Sequence, residues 1–157
     1  MKLHVISVGR LREAYFKAAC DEYASRIRHY LPLEELEVPS ATGDIGNGSG
    51  HGALRVEGES ILRQVPKSSK LIAMDVRGER FTSEQVSQLL QAEMSASTQH
   101  LVFAIGGAWG LSPQLLETAN LRLSLSSMTF PHELARLVLL EQIYRALTIW
   151  RGLPYHK

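Results

Sequence analysis

The stretch LSLSSMTFPHELARLVLLEQIYRA, Leu123 to Ala146, holds several residue types that could do chemistry at useful spacings. His132 and Arg136 stand four residues apart, so they share one face of a helix near its start. A histidine at the positive end of a helix dipole favours its neutral, proton-accepting form; the alternative is a histidine that only caps the helix. Ahead of it, Ser124, Ser126, Ser127 and Thr129 offer small hydroxyls and backbone amides, Pro131 suits a first helical position, and Glu133 follows close behind. Such a loop, feeding a helix N-terminus, can hold an adenosine-like ligand by backbone hydrogen bonds. Glu141 and Arg145, also four apart, read first as a structural ion pair.

Two further stretches carry signals. In FAIGGAWGL, Phe103 to Leu111, an apolar run ends in Gly106 and Gly107, which let the backbone turn sharply and approach a flat ligand, or form a plain tight turn. The spacing is neither the dinucleotide fingerprint nor a phosphate loop. The final RGLPYHK combines a stiffening proline, an aromatic ring in Tyr155, a proton-exchanging His156 and a cation, a set suited to an unstacked RNA base unless the tail is disordered. The six histidines show no metal-ligand spacing, there is no cysteine cluster, and no G-x-S-x-G nucleophile elbow is present. Metal and familiar hydrolase chemistry are therefore not expected. Cys20 alone can form no intramolecular disulfide and reads as a buried hydrophobe.

The elements that must position these residues follow from periodicity. Apolar, β-branched-rich runs at Leu3–Val8, Leu36–Val38, Leu71–Val76, Leu101–Ile105 and Leu121–Leu125 read as strands. Helical spacing links Leu11, Tyr15, Ala19, Tyr23, Ile27 and Tyr30. It recurs from Ser83 to Met94, with Val86, Leu89, Leu90 and Met94 inward and Thr82 as N-cap, after a Ser112 cap followed by Pro113, and from His132 to Trp150. Strands alternating with helices predict an α/β domain with a mostly parallel sheet and helices on both faces, one domain over residues 1–157. Ligands of such sheets sit beyond the carboxyl ends of the strands, which points to the turns after Met74, Ile105 and Leu125. Ser40 to Gly58, with five glycines between Gly43 and Gly52, reads as a mobile surface loop, or functionally as a lid or RNA-touching flap.

With 157 residues, 45% of them hydrophobic, the chain is long enough to bury a core unaided. A net charge of +1 gives no case for a uniformly basic surface. From Leu121 onward, however, Arg122, Arg136, Arg145, Arg151 and Lys157 outnumber Glu133 and Glu141, so a polyanion would be expected to meet that end. The opening MKLHVISVGR reads as a strand, not a signal peptide, and no window approaches a membrane span, which predicts a cytoplasmic protein.

Taken together, HVISVGRLREAYFKAACDEYASRI, AIGGAWGLSPQLL, the Leu123–Ala146 stretch and the terminal PYHK resemble the RlmH family over essentially the whole chain. That family comprises ribosomal large-subunit pseudouridine N3-methyltransferases of the SPOUT, or α/β-knot, superfamily. The resemblance implies a C-terminal deep trefoil knot, S-adenosyl-L-methionine as cofactor, a homodimer, and a pseudouridine of 23S rRNA within the assembled ribosome as substrate. It assigns cofactor contacts to Met74, Gly106, Leu125, Ser126, Ser127, Met128, Thr129 and Phe130. The residues Gly43 to Gly52 stand where relatives usually carry a more charged stretch.

The reaction the resemblance implies needs an imide N–H made nucleophilic, hence a base or a nearby positive charge, in line with an activated methyl. His132, Arg136, Tyr144, Arg145, Tyr155 and His156 form the catalytic pool: an arginine for the imide anion or phosphates, Tyr155 to stack or position the base, and His156 to take the proton. Two rivals are a nucleotide-binding regulatory module, which would not need the PYHK tail, and a non-catalytic ribosome-associated factor, which would consume no methyl donor.

Overall fold

The computed structural model describes residues 1–41 and 50–156; residues 42–49, Lys157 and the side chain of His156 lie outside the description. Five strands, β1 (Lys2–Val8), β2 (Leu33–Val38), β3 (Ser69–Arg80), β4 (His100–Ile105) and β5 (Leu121–Ser124), pair in the order β2-β1-β4-β3-β5, every pair parallel. The central strands are continuous apolar runs because both their faces are covered; Leu3, Val5, Ile6, Leu101, Val102 and Phe103 are fully buried. The edge strand β2 instead reads LEELEV, with glutamates at three positions.

Helices α1 (Ala14–Arg28), α3 (Ser83–Ser95) and α5 (His132–Trp150) pack on one face around Phe103, Leu139 and Ile143. Helices α2 (His51–Gln64) and α4 (Pro113–Thr118) cover the other around Ile6, Ile61 and Leu115. Local chemistry fixes the starts: Thr82 and Gln85 form a reciprocal capping box on α3, and Ser112 caps α4 with Pro113 at its first position. Pro131 is the N-cap of α5 and not its first residue.

Three expectations change. Strands β2 and β3 run longer than the apolar runs suggested. The buried face of α1 is Cys20, Ala24 and Ile27, while Tyr15, placed on the inward stripe, is 65% exposed. The glycine-rich span is helical from His51, with Gly50 as a left-handed N-cap; Glu57 and Gly58, expected in a mobile loop, are buried. Gly58 is required there because a Cβ would lie 2.0 Å from Ser112 Oγ.

Candidate active site

A cleft of about 220 Å³ opens beyond the carboxyl ends of β3, β4 and β5, where the parallel-sheet rule placed it. Met74, Gly106, Leu125, Ser126, Met128, Thr129 and Phe130 line it, together with His132 at the start of α5; Ser127 is exposed on the same loop but outside the lining. The sequence thus located the cleft wall closely.

Each wall has a local cause. Residues 107–110 form a tight turn in which Gly110 N donates to Gly107 O at 3.0 Å, with Gly110 at φ +83°. A Cβ on Gly106 would fall 2.2 Å from Gly110 O, and one on Gly107 would meet Val8 Cγ1 at 3.0 Å and Glu57 Oε2 at 3.1 Å. Packing of the chain against itself therefore demands Gly106, where backbone is in the way, and makes a side chain at 107 tight against side-chain atoms that could shift. On the facing wall, the Ser124 hydroxyl lies 3.1 Å from Val76 O and 2.9 Å from Ser126 O, while Met128 N donates to Ser126 Oγ at 3.0 Å. The loop is thereby pinned to β3, where the pairing with β5 slips between Met74 and Glu79.

Sequence reasoning missed Asp75, the carboxylate in the cleft lining. Its side chain is 11% exposed, and Oδ1 accepts from Arg77 N at 3.1 Å. It lies within β3, and a carboxylate interrupting the apolar run Leu71–Val76 was the available signal.

The catalytic pool separates into two groups along α5. His132 sits at the cleft; its Nε2 lies 3.3 Å from Arg10 O, and because a carbonyl only accepts, Nε2 carries the proton and Nδ1 is left to accept another. Arg136 is buried beneath it. Its guanidinium donates to Glu37 Oε1 at 2.7 Å, Glu35 Oε1 at 3.0 Å and Ser7 Oγ at 3.3 Å. Burial works against its charge, but the hydrogen bonds to Glu37 and Glu35 prevail and raise its pKa above the ordinary arginine value. Within this chain Arg136 joins α5 to β2 and offers no free fork to a phosphate or an imide.

Tyr144 lies twelve residues beyond His132, about 18 Å along the axis. It packs against Tyr23, Tyr30 and Tyr155. Arg145 Nε donates to Glu141 at 3.0 Å, the structural pair the spacing suggested, and its guanidinium lies over the Tyr155 ring at 4.9 Å. The tail forms a short 3-10 helix, Pro154–His156. Tyr155 OH donates to Glu141 Oε1 at 3.1 Å and lies 3.2 Å from Tyr23 OH; burial and these partners push its pKa upward. Arg136 and Arg145 are thus paired within the chain, while Arg122 and Arg151 remain exposed at that end. Cys20 is buried, and burial pushes its thiol up to about 11, which leaves it a packing residue. No group of three metal-ligating side chains occurs among the described residues, nor does any described helix have the length and apolarity to cross a membrane.

A parallel α/β sheet with its cleft at the strand ends, bounded by a glycine turn and a serine-rich loop feeding the last helix, defines a class. Residues 1–156 match the family described as "Predicted SPOUT methyltransferase", and the chain belongs to that family. Full-length relatives agree. It is 42% identical to a protein of Clostridium botulinum (strain Okra / Type B1), 40% to one of Alkaliphilus oremlandii (strain OhILAs) and 36% to one of Acetivibrio thermocellus, each over 159 aligned residues spanning all of both chains. All three are named "Ribosomal RNA large subunit methyltransferase H".

Proposed function

We propose that this chain, a single domain over residues 1–157, methylates N3 of a pseudouridine in 23S rRNA. On this reading it uses S-adenosyl-L-methionine, acts on the assembled ribosome as a cytoplasmic homodimer, and has its C-terminal part threaded as a trefoil knot. The observation that carries the reading is the coincidence of the cleft wall, Met74, Gly106, Leu125, Ser126 and Met128 to Phe130, with seven of the eight cofactor positions that the resemblance assigns. Full-length identity to relatives named as large-subunit rRNA methyltransferases supports the substrate class.

The cleft suits the cofactor chemically. Met74, Leu125 and Phe130 offer apolar surface to an adenine, and Asp75 offers an acceptor to ribose hydroxyls or an ammonium. When bound, the cofactor supplies an electrophilic methyl group. The protein's own task is to hold the base in line with that methyl, exclude water and take the N3 proton. His132 Nδ1 is the acceptor that this chain presents at the cleft. Tyr155 is held at Glu141, nine residues and about 14 Å along α5 from His132, so the tail that meets the base in this reading is that of a second copy. There Tyr155 would position the base and His156 would share the proton transfer, while Tyr144 and Arg145 brace the tail. Arg136 would act by holding α5 on β2.

The test is transfer of labelled methyl from S-adenosyl-L-methionine to ribosomes from cells lacking this protein, with free subunits and protein-free rRNA alongside. Label on one pseudouridine of 23S rRNA, with whole ribosomes far better than naked RNA, is the expected result. No label on any RNA, despite cofactor binding, would overturn the reaction.

A further inference from the structure

A second cavity, about 680 Å³ and within the size range of small-ligand pockets, opens beyond the carboxyl ends of β1 and β2. Its lining is Gly9, Arg10 and Arg12 on one side and Glu37, Val38, Pro39 and Ser40 on the other. Arg10 and Arg12 are exposed, and among the described residues neither guanidinium forms an ion pair. Each bordering carboxylate has at least one oxygen engaged. Glu37 receives Arg136, Glu57 behind Ser40 accepts from Ser40 Oγ at 3.3 Å and Ala41 N at 2.9 Å, and Glu133 accepts from the backbone N–H groups of Arg12 and Glu13 at 2.8 and 3.2 Å.

The loop that carries the two arginines is built into the fold. Gly9 N donates to Val38 O at 2.9 Å, Glu133 holds Arg12, and Arg10 O meets His132. Gly9, at φ +84°, approaches so closely that a Cβ would lie 3.0 Å from His132 Nε2. His132 is also part of the cleft lining, so one imidazole separates the two openings. A nucleotide whose base enters the cleft leaves its sugar and phosphates outside, and the loop of Arg10 and Arg12, joined to His132, is a neighbouring surface for them.

We propose that this cavity is the backbone subsite for the target nucleotide: it takes the RNA phosphates flanking the flipped base, with Arg10 and Arg12 as the phosphate ligands and His132 marking the boundary between base and backbone. The inference rests on the rRNA-methyltransferase reading and deepens it. Paired arginines in a groove beside a base pocket are a means of positioning a backbone without reading sequence.

The test measures ribosome binding across a salt series, together with methyl-transfer KM, for the unsubstituted chain, Arg10→Gln, Arg12→Gln and the double variant. Arg12→Lys retains a point charge, and Arg63→Gln on α2 removes a surface arginine elsewhere. Each glutamine variant should bind about 5–10-fold more weakly at fixed salt and lower the slope of log K against log[salt] by roughly 0.7–1; Arg12→Lys should recover most of that slope. Cofactor affinity measured by calorimetry, and the thermal midpoint, should match the unsubstituted chain. Unchanged binding and slope in the double variant, with the parent active, would overturn the cavity assignment alone. A parent that binds ribosomes but transfers no methyl would overturn the proposed reaction, leaving the slopes to judge the cavity, and a parent that neither binds nor methylates would overturn both.

Discussion

Replacing Arg136 by methionine removes the guanidinium that joins α5 to β2 while keeping the length of its apolar stem. The partners differ in environment: the Arg136 and Glu35 side chains are 7% and 12% exposed, whereas Glu37 retains 35%. The Glu35 pair therefore sits in low dielectric; losing the buried cation leaves that carboxylate only the half-exposed Arg28, 3.3 Å from Oε2, a change that costs about 3 kcal/mol, the lower end of the range for breaking a buried pair. Glu37 can turn to water and adds no more than about 1 kcal/mol. A total near 4 kcal/mol, at about 2–4 °C per kcal/mol for a chain of this size, lowers the thermal midpoint by roughly 8–16 °C. Urea and thermal unfolding at fixed protomer concentration measure it. Adding Glu35→Gln to the Arg136→Met chain should recover about half of the loss, because it discharges a carboxylate that has lost its buried partner and keeps only Arg28. A loss under about 1 kcal/mol, or a double variant no more stable than Arg136→Met, would refute the buried-cluster account.

Gly106→Ala should weaken cofactor binding more than tenfold by calorimetry, because the Cβ at 2.2 Å from Gly110 O forces the turn open. Gly107→Ala, whose nearest contacts are at 3.0 and 3.1 Å, should weaken it less, and equal effects would sink the packing argument. His4 is buried with Nε2 at 3.0 Å from His100 Nδ1 and Nδ1 at 3.3 Å from Glu34 Oε2. Burial, aided by His100 and Lys2 and opposed by Glu34, pushes it below the ordinary 6.5. The unfolded chain thus binds the proton more readily, so the stability owed to neutral His4 is present above pH 6.5 and is lost as pH falls through the folded-state value. His4→Gln should flatten the urea-midpoint decline below that pH, and an unaltered profile would count against it.

How much was readable in advance depended on what each residue touches. The central strands were legible because burial on both faces leaves an uninterrupted apolar run, α3 because cap and period agree, and α5 from its long helical period. The start of β2 was hidden by Glu34 and Glu35, glutamates that Lys2 and Arg136 meet across the fold. Helix α2 was hidden by glycines that its packing requires, Gly58 against Ser112 above all. The cleft wall was legible as a run of small residues after a strand. The division of the catalytic pool was not, because the partners that bury Arg136 under two carboxylates and seat Arg145 on a tyrosine ring come from outside α5, on β2 and in the tail.

The Glu133 contact also bears on the order in which the chain matures. Helix α1 has no side-chain cap of its own, and the carboxylate that holds the backbone amides of Arg12 and Glu13, the two residues leading into it, comes from 120 and 121 residues downstream. During synthesis the segment that leads into the first helix therefore waits for most of the chain before it is secured. Contacts of such sequence separation slow folding, since a long loop must close before they form. The same closure brings His132 to Arg10, so the histidine that stands between the two openings takes its place only after most of the chain exists.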